Sequence, residues 1–571
     1  MDVTGARQTG SVYVVLARTA DGIVAHRLDD AANPADDPEL IDPEDLAEWA
    51  DLENDESSPR WVWSDSRTWY PQLLAGGVRV ERCVDLRLSH NILRLSAHTA
   101  SSELARAPRN AWDSTVPLEL EAPAGPNPDE LLFDLGEPAG VDEPDPVAEF
   151  RLQRAAVAAS SDPNRLNLLL AAESAGGLIA VEMKHGGLPW NADLHRQMLQ
   201  ETLGPRPRAG ERPAALDALL VEMRGHLGGD DINPDSPQEL LKALRRAGLI
   251  VDSTRSWDLK QLDHPVIAPL LAYKKLARLL SANGWHWLDT WVVDGRFRPD
   301  YVPGGAATGR WGASGGGALQ LAKQVRGAVV ADEGWKFVVA DAAQLEPRIL
   351  SAMSADRAMA EAGRGDLYEG IVASGAVATR AEAKLALLGA MYGATTGESG
   401  RLMPRLAKAY PQAIAMVEAA ARAGERGEIV STQLGRSSPY PGELWREVQG
   451  AAQSDTATAA DQNRAKSQSR SWGRFTRNFI VQGTAAEWAL CWMAGLRKRL
   501  WEMTDGPLEH GPHLVFFLHD EVIVHTPAEL APQVTEAVRA AAADAGRLIF
   551  GRLPVDFPVT AVTVDNYGDA K

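Results

Sequence analysis

Cysteine is nearly absent from this sequence, and a membrane-spanning segment is not evident. The 571 residues include two cysteines, Cys83 and Cys491, and neither has a partner at metal-ligand spacing, which argues against a disulfide framework. The first residues lack the basic-then-apolar pattern of a secretion signal. The most apolar stretch, residues 168–181, contains Glu173 and two glycines and is too short to span a bilayer. We therefore expect a protein of the reducing cytoplasm with no membrane partner.

Lysine is also missing from the N-terminal part, since no lysine precedes Lys184. Residues 1–150 contain 30 Asp and Glu against 11 Arg, a balance of −19 that equals the net charge of the whole chain. The rest of the chain is neutral and can still form a basic groove, because local clustering sets the potential that a phosphate backbone meets. The negative net charge therefore does not exclude a nucleic-acid partner.

The length exceeds what one hydrophobic core usually organises, so about two to four domains are expected. Short apolar runs predict strands at residues 11–16 and 78–84, with an acidic loop and an exposed helix at residues 29–56. Residues 122–146 are rich in proline and acids, which indicates a linker or surface loop.

Beyond residue 148 the pattern is largely helical. Ser236 and Pro237 predict the start of a helix, as N-cap and first helical residue, and residues 262–281 predict an amphipathic helix. The glycine-rich residues 304–317 predict a loop. They are followed by a predicted strand at 336–340, helical regions at 344–430 and 443–503, and a hairpin at 513–527. This irregular alternation predicts an α+β or mixed architecture.

The predicted strand at residues 336–340 ends at Asp341, in a position that suits a metal ligand. Carboxylate oxygens are the ligands that Mg²⁺ prefers, although an aspartate after a strand is often a helix N-cap instead. Gln344, Glu346 and Arg348 follow in an otherwise apolar helical run, where polar side chains are costly to bury without partners. These three residues favour a functional site over a cap.

The predicted hairpin carries His519, Asp520 and Glu521 between two apolar strands. Adjacent carboxylates in that setting repel each other unless a cation is present. Asp520 and Asp341 together would bridge two metals roughly 3.5–4 Å apart. An ordinary exposed turn is the alternative when this segment is considered alone.

Arg380, Lys384, Leu388 and Tyr392 recur every four residues and therefore form one stripe on a helix. A cationic stripe that ends in an aromatic ring suits a triphosphate followed by a base. A solvated helix face is the alternative, but residues 385–391 are apolar all round, so the helix is not freely exposed.

In order and spacing, these three segments resemble motifs A, B and C of family A DNA polymerases, the bacterial DNA polymerase I type. Asp341, Gln344, Glu346 and Arg348 match the motif A pattern Asp-Tyr-Ser-Gln-Ile-Glu-Leu-Arg. The departures from that pattern are Ala342, Ala343 and Pro347.

In motif B, Arg380, Lys384 and Tyr392-Gly393 match, whereas Leu388 replaces an aromatic residue and so bears on nucleotide selection. Arg310 with its Thr-Gly-Arg loop resembles a further segment of the family. The resemblance also includes Gln320, Arg474, Asn478 and Gln482, and it covers roughly residues 150–571.

The resemblance implies a right-hand polymerase with palm, fingers and thumb, preceded by a ribonuclease H-like α/β domain of the exonuclease type. The implied domains are a degenerate 3′–5′ exonuclease-like domain (1–147), thumb and palm entry (148–300), palm with motif A (301–350), fingers with motif B (351–445), and palm with motif C and a C-terminal strand (446–571).

The implied activity is template-directed addition of deoxynucleotides to a primer 3′ end by two-metal nucleotidyl transfer. The implied catalytic residues are Asp341, Asp520, Glu521 and Lys384, and Asp341, Asp520 and the carbonyl of Ala342 would hold two Mg²⁺ ions, with Mn²⁺ as a possible substitute. The implied nucleotide-binding residues are Arg380, Lys384, Leu388, Tyr392, Gln344 and Glu346. The implied DNA-binding residues are Arg310, Gln320, Arg474, Asn478, Gln482 and His519.

Residues 61–93 look like part of the 3′–5′ exonuclease domain that accompanies such polymerases. The first pair of metal-binding acids should end the opening strand, but residues 16–19 are Leu-Ala-Arg-Thr. Asp85 remains, and Asp65 is a candidate relic. We expect a folded domain that does not proofread, and we expect no 5′-nuclease domain, because the sequence begins directly at this module.

Two other functions compete with a DNA polymerase. A single-subunit RNA polymerase shares the fold, but Glu346 is expected to block a ribose 2′-hydroxyl. A catalytically silent DNA-binding protein on a polymerase scaffold is the second, although both aspartates and the triphosphate cations remain. The favoured hypothesis is a monomeric, nucleoid-associated enzyme of DNA repair or replication that takes primer–template DNA and dNTPs.

Overall fold

The computed structural model describes residues 13–113, 144–228, 232–393 and 397–570. The predicted linker lies outside these residues, apart from its last three positions. By internal packing the chain divides into two compact units. The first comprises Met1–Gly186, Tyr301–Ser314 and Val338–Val562, and the second comprises Gly187–Asp300, Gly315–Phe337 and Thr563–Lys571. The five domains inferred from the sequence stay a prediction.

The N-terminal part is an α/β layer followed by helices. Its elements are β1 (Tyr13–Thr19), β2 (Gly22–Leu28), β3 (Glu39–Ile41), α1 (Leu46–Ser57), β4 (Arg60–Trp63), α2 (Ser66–Ala75), β5 (Cys83–Asp85), α3 (Leu86–Leu95), α4 (Glu103–Arg106), α5 (Pro146–Ala158) and α6 (Pro163–Gly186). The sheet order is β3-β2-β1-β4-β5. β1 runs antiparallel to β2 and parallel to β4, and β4 runs parallel to β5.

Of the strand predicted at residues 11–16, positions 11 and 12 lie outside the described residues and positions 13–16 belong to β1. The strand predicted at 78–84 is reduced to β5. The amide of Val78 donates to Leu73 at 2.9 Å and that of Gly77 donates to Leu74 at 3.0 Å. These amides close the C-terminus of α2, so they are not available to a sheet ladder. Val78 is nevertheless buried, at 5% exposure.

A cluster of aromatic rings fills the space between the sheet and α6. Trp61, Trp63 and Tyr70 are fully buried, with Leu178 and Val181 of α6 in the same core. Helix α6 has the length and hydropathy that a membrane-spanning helix requires, but 72% of its most apolar window is buried within the protein. The apolar residues of α6 are therefore part of the protein core, where Leu178 and Val181 pack with the aromatic residues of the N-terminal part.

Residues 187–300, of the second unit, and residues 301–314, of the first unit, contain helices and short strands. Its elements are β6 (Leu188–Pro189), α7 (Ala192–Leu203), α8 (Ala214–His226), α9 (Pro237–Arg246), α10 (Ser256–Leu259), α11 (Ile267–Asn283), α12 (Trp285–Trp291), β7 (Val292–Val293), β8 (Arg296–Phe297), β9 (Tyr301–Val302) and β10 (Gly312–Ala313). Ser236 caps α9 as predicted, since its side chain accepts a hydrogen bond from the amide of Glu239. The helix predicted at 262–281 begins at Ile267 and ends at Asn283. Pro265 disfavours helical backbone at His264, so the predicted start at 262 is wrong.

The remaining residues combine a four-stranded sheet with helices. The elements are β11 (Trp335–Ala342), α13 (Leu345–Ser354), α14 (Arg357–Ala362), α15 (Leu367–Ala373), α16 (Arg380–Tyr392), α17 (Gly397–Ala409), α18 (Pro411–Glu425), α19 (Glu443–Gln453), α20 (Ala459–Trp501), β12 (His513–Leu518), β13 (Glu521–Pro527), α21 (Ala531–Phe550) and β14 (Val559–Val564). The sheet order is β12-β13-β11-β14. The predicted strand and hairpin are confirmed. In the predicted helical region 344–430, the described residues form six helices.

Arg497 of α20 and Glu182 of α6 form a buried ion pair. Arg497 Nη2 lies 2.6 Å from Glu182 Oε1, and the two side chains are 7% and 6% exposed. Tyr70 donates a hydrogen bond of 2.7 Å to the same carboxylate. Burial works against ionisation here, but Arg497 holds the pKa of Glu182 below its usual value. The pair therefore remains charged inside the protein.

Replacing Arg497 with methionine is expected to lower the free energy of unfolding by about 3–5 kcal/mol, because Glu182 would lose its cation while buried. Arg499→Met is the matched control on the same helix. The Arg499–Asp544 pair is 30% and 36% exposed, and exposed pairs contribute about 0–1 kcal/mol. Chemical denaturation measures both losses, and equal losses would contradict this account.

Candidate active site

The ends of β11 and β13 bring two predicted metal ligands to neighbouring positions. The amide of Ala342 donates to the carbonyl oxygen of Asp520 at 2.9 Å, and Asp341 directly precedes Ala342. Asp520 lies in a two-residue turn, because Leu518 pairs with Glu521 across the hairpin. His519 has a φ of 61°, a conformation that such a tight turn requires and that is uncommon outside glycine. Both aspartates are partly exposed.

This donor set fits a hard divalent cation. The two carboxylates and nearby backbone carbonyls offer oxygen ligands only, and Mg²⁺ commonly binds one or two carboxylates while it keeps waters and substrate phosphates. Within the described part of the chain, no cluster of three or more His, Cys, Asp or Glu side chains is arranged to hold a metal. Glu521, at the start of β13, is 2% exposed. A pair of aspartates is therefore the candidate centre.

Glu346 joins two other predicted segments beside this centre. Its carboxylate accepts hydrogen bonds from the Arg310 guanidinium and from the Tyr392 hydroxyl. Burial raises the pKa of Tyr392 to about 12; the bond to Glu346 adds to this rise, while a hydrogen bond with Gln482 opposes it. Arg310, Glu346, Tyr392 and Gln482, which the sequence analysis placed in four separate segments, are therefore in contact. Burial and the charge of Arg310 lower the pKa of His519, which puts the hairpin tip near the same group.

Helix α16 presents the stripe that the spacing indicated. Thr379 and Glu382 form a reciprocal capping box at its start. Lys384 and Tyr392 are exposed and Leu388 is partly buried. The buried residues of the helix are Ala383, Ala386, Leu387, Gly389, Ala390 and Met391. The helix ends at Gly393 with a φ of 71°, and a Cβ there would lie 2.9 Å from Arg474 Cγ of α20. The close approach ties α16 to α20.

Arg380 has a carboxylate partner that the sequence did not indicate. Its Nη2 lies 2.8 Å from Asp366 Oδ2, and its guanidinium lies 5.2 Å from the centre of the Tyr368 ring. Burial works in the opposite direction, but the hydrogen bonds from Arg380 and from the amide of Glu369 lower the pKa of Asp366 to about 2. The ion pair lies at the start of the stripe and is partly exposed, at 50% for Arg380 and 36% for Asp366.

Gln344 and Arg348 have structural partners. Gln344 has a φ of 55°, and its side-chain oxygen accepts from the amide of Leu367 at 2.9 Å. Arg348 is 2% exposed and donates to four backbone carbonyls, those of Ala343, Gly363, Gly365 and Asp556. Burial lowers the pKa of Arg348. These contacts hold the connection between α13 and α15, and a nucleotide contact of Gln344 stays a prediction.

Arg474, Asn478 and Gln482 lie along one face of α20. Arg474 is exposed, and Asn478 and Gln482 are partly buried. The buried Oδ1 of Asn478 has no hydrogen-bond donor among the described residues. Gln320 belongs to the second compact unit and is exposed.

Residues 430–438, which we call the 430–438 loop, pack against α20 and were missed by sequence reasoning. The amide of Leu434 donates to Glu487 at 3.0 Å, and the amide of Gln433 donates to Thr484 Oγ1 at 3.0 Å. The Thr432 hydroxyl also donates to Glu487. Single polar residues in helices and loops give no sequence signal that would reveal these contacts.

Glu487 is expected to make stability depend on pH near neutrality. Burial raises its pKa to about 7, whereas an unfolded glutamate titrates near pH 4.3. Between these values the folded state holds a proton that the unfolded state has released. Stability should therefore fall as pH rises from about 4.3 to about 7, by on the order of 3 kcal/mol from this residue.

Glu487→Gln should remove this part of the pH dependence, as measured by denaturation at about pH 5 and about pH 8. Glu502→Gln, an exposed position just after α20, is the matched control and should leave the slope as it is in the wild type. An unchanged slope in Glu487→Gln would contradict the assignment.

The N-terminal sheet uses its remaining acids as helix caps. Asp85 is 1% exposed and accepts from the amides of Ser66 at 2.7 Å and Leu88 at 3.0 Å. Burial and the neighbouring Asp65 raise the pKa of Asp85 to about 7. Asp65 caps α2. At the end of β1, the Arg18 guanidinium lies 4.8 Å from the centre of the Trp69 ring.

Comparison with known proteins identifies the class that this fold and site define. The sequence model of the family described as DNA polymerase family A matches residues 211–569, so the chain belongs to that family. The resemblance found in the sequence is thereby confirmed.

The curated relatives include bacterial DNA polymerases I. The thermostable DNA polymerase I of Thermus thermophilus is 27% identical over 305 residues, which cover 48% of this chain and 33% of that protein. DNA polymerase I of Chloroflexus aurantiacus is 31% identical over 177 residues, 29% of this chain and 17% of that protein. This chain thus spans a third or less of the length of these two relatives.

The fold is similar to that of a solved polymerase domain. The POL domain of Pol1 from M. smegmatis, in complex with DNA primer-template and dNTP, is 19% identical, covers 98% of this chain and 96% of its own length, and has a TM-score of 0.63. The similarity extends over nearly the whole chain and confirms the predicted mixed α+β fold class.

Proposed function

We propose that this chain is a template-directed DNA polymerase that adds deoxynucleotides to a primer 3′ end. The observation that carries the proposal is the backbone hydrogen bond of 2.9 Å between Ala342 and Asp520, which makes the two strand-end aspartates neighbours. The cluster of Glu346, Arg310 and Tyr392 beside them supplies the second half of a reaction centre. Membership of DNA polymerase family A supports the same activity.

Asp341, Asp520 and the carbonyl of Ala342 would hold two Mg²⁺ ions, with Glu521 assisting and Mn²⁺ as a substitute. When bound, two such metal ions lower the pKa of a 3′-hydroxyl and stabilise the departing pyrophosphate.

The cationic stripe of α16 would bind the rest of the nucleotide. Arg380 and Lys384 would grip the triphosphate as charge-assisted donors, with Leu388 and Tyr392 towards the base. Glu346 is fixed by two hydrogen bonds and would exclude a ribose 2′-hydroxyl, with Gln344 as a further nucleotide contact.

A set of polar side chains would hold the primer–template. Minor-groove acceptors occur at every base pair, so contacts there test pairing geometry without reading sequence. The proposed DNA contacts are Arg310, Gln320, Arg474, Asn478, Gln482 and His519.

Extension of a labelled primer with Mg²⁺ and four dNTPs tests the proposal. We expect products that reach the end of the template. Binding of primer–template without extension would favour a silent DNA-binding scaffold. That alternative is considered because the end of β1 lacks the acids expected there, so this chain differs from its family at one site already. Preferred incorporation of rNTPs would favour an RNA polymerase.

We also propose that the N-terminal α/β part does not proofread. Asp85 and Asp65 are engaged as helix caps, and an arginine stands where the opening strand should carry acids. A labelled primer with a mismatched 3′ nucleotide is therefore expected to stay intact with Mg²⁺ in the absence of dNTPs. Release of that nucleotide by the wild-type chain, and equally by Asp520→Asn, would contradict this proposal.

For the setting, we propose a monomer in the cytoplasm, associated with the nucleoid in DNA repair or replication. Both cysteines are reduced and buried, which suits a reducing compartment. Sedimentation of the purified chain with and without primer–template tests the monomeric state.

A further inference from the structure

The loop that carries Arg310 rests on a buried arginine from the 430–438 loop. Arg436 is 8% exposed, and its guanidinium lies against the Cα of Gly309. A Cβ at Gly309 would lie 2.5 Å from Arg436 Nε and 2.7 Å from its Cζ. Gly309 also has a φ of 81°, so glycine is required here for both space and backbone conformation.

Arg436 is itself held in place by Glu173 of α6. Arg436 Nη2 lies 2.6 Å from Glu173 Oε2, and the two side chains are 10% and 1% exposed. The Nε of Arg436 is buried and has no hydrogen-bond acceptor among the described residues. An ion pair removed from water in this way is weak evidence for stability. Its geometry, with the guanidinium plane against Gly309, indicates positioning instead.

The 430–438 loop is braced from two further directions. α20 holds it through Glu487 and Thr484, as described above. On the opposite side, the Ser96 hydroxyl donates to the carbonyl of Gly435 at 2.8 Å, and the amide of Ala97 donates to Ser437 Oγ at 2.9 Å. These contacts come from the end of α3 in the N-terminal α/β part. The loop that carries Arg436 is therefore held by both the N-terminal α/β part and α20.

The loop that carries Arg310 also approaches α20 closely. A Cβ at Gly483 would lie 3.2 Å from the carbonyl oxygen of Thr308. Residues 308 and 309 are thus confined between Arg436 and Gly483, and the next residue, Arg310, is the one that pairs with Glu346. A shift of the loop would move the Arg310 guanidinium relative to Glu346 and Tyr392.

We propose that Arg436, held by Glu173, is a positioning residue that sets the place of Arg310 in the reaction centre. The N-terminal α/β part, which lacks acids at the end of its opening strand, thereby supports the polymerase centre through the 430–438 loop. This inference rests on the proposed polymerase function for its kinetic consequence, but its structural consequence can be measured without catalysis.

Hydrogen exchange tests the structural consequence. The amides of Ala306 and Gly309 are bonded within the loop, to the carbonyls of Arg310 at 3.0 Å and Ala306 at 2.8 Å. In Arg436→Gln, both amides are expected to exchange about tenfold faster, because the loop loses its support. Unchanged exchange in a folded Arg436→Gln chain would overturn the proposal.

Arg497→Gln is the matched control for this measurement. It breaks another buried ion pair of α6, the one that joins Glu182 to α20, but leaves Gly309 untouched, so the loop amides should exchange at the wild-type rate. If Arg436→Gln does not fold, Arg436→Lys replaces it. Lysine keeps the charge beside Glu173 but loses the planar face, and it should give the same acceleration. Equal acceleration in the Arg497→Gln control would overturn the proposal.

Primer extension tests the kinetic consequence. Arg436→Gln is expected to lower kcat/KM by about 10- to 100-fold in the wild-type background. It should lower it less than about twofold in an Arg310→Ala background, since the two residues would act as one unit. Equal losses in both backgrounds would overturn the proposal. A wild-type chain that extends no primer would contradict the proposed function alone, and the exchange result would then decide this inference.

Discussion

Asp341→Asn and Asp520→Asn are each expected to lower the rate of single-nucleotide addition by about 10³-fold or more. Each substitution keeps the shape of the side chain but removes one negative charge from a site whose proposed cations need carboxylate oxygens. The loss of one such ligand removes several kcal/mol of transition-state stabilisation, and about 4 kcal/mol corresponds to that factor. A rapid-mixing assay with a saturating amount of the correct dNTP measures the rate.

Controls separate chemistry from folding and DNA binding. Asp505→Asn changes an exposed aspartate and should retain the wild-type rate. The two site variants should bind primer–template within about threefold of the wild type, since the phosphate backbone dominates that affinity. If Asp341→Asn or Asp520→Asn kept a tenth or more of the wild-type rate, the two aspartates would not be the reaction centre.

Glu346→Ala is expected to lower the preference for dNTPs over rNTPs by about 100-fold. The Glu346 carboxylate is held by Arg310 and Tyr392, so its position is fixed and an extra 2′-hydroxyl would have to displace it. The smaller alanine opens that space. We expect the rate with the correct dNTP to fall as well, by about tenfold, because Arg310 and Tyr392 lose their shared partner.

Competition between a dNTP and the matching rNTP measures this preference. Glu361→Ala, which removes an exposed glutamate that pairs with Arg364, is the control and should leave the preference at the wild-type value. Glu346→Gln keeps the length of the side chain and should lose less discrimination than Glu346→Ala. An unchanged preference in Glu346→Ala would show that another residue selects the sugar.

The parts of the fold that could be predicted have signals within a few residues. The apolar runs before Asp341 and around Asp520 mark strands whose ends carry acids, and the structure places both strands as expected. Ser236 with Pro237 also fixes a helix start locally. The four-residue recurrence from Arg380 to Tyr392 correctly indicates one helix face, because helical geometry alone decides it.

The parts that could not be predicted depend on partners far apart in sequence. Glu173 and Arg436 are 263 residues apart, and nothing near either residue indicates a buried pair. Asp366 follows no motif, yet it pairs with Arg380. The strand predicted at 78–84 is mostly not a strand, because the amide of Val78 closes α2. Such outcomes are decided by tertiary packing.

Template dependence is the property that tests the central claim most directly. The purified chain should be given one primer on four templates that differ only in the first unpaired base, with all four dNTPs present at equal concentration. We predict that each template directs addition of its complementary nucleotide and that Asp520→Asn adds almost none. Addition of the same nucleotide on all four templates, or no addition by the wild-type chain, would contradict the claim.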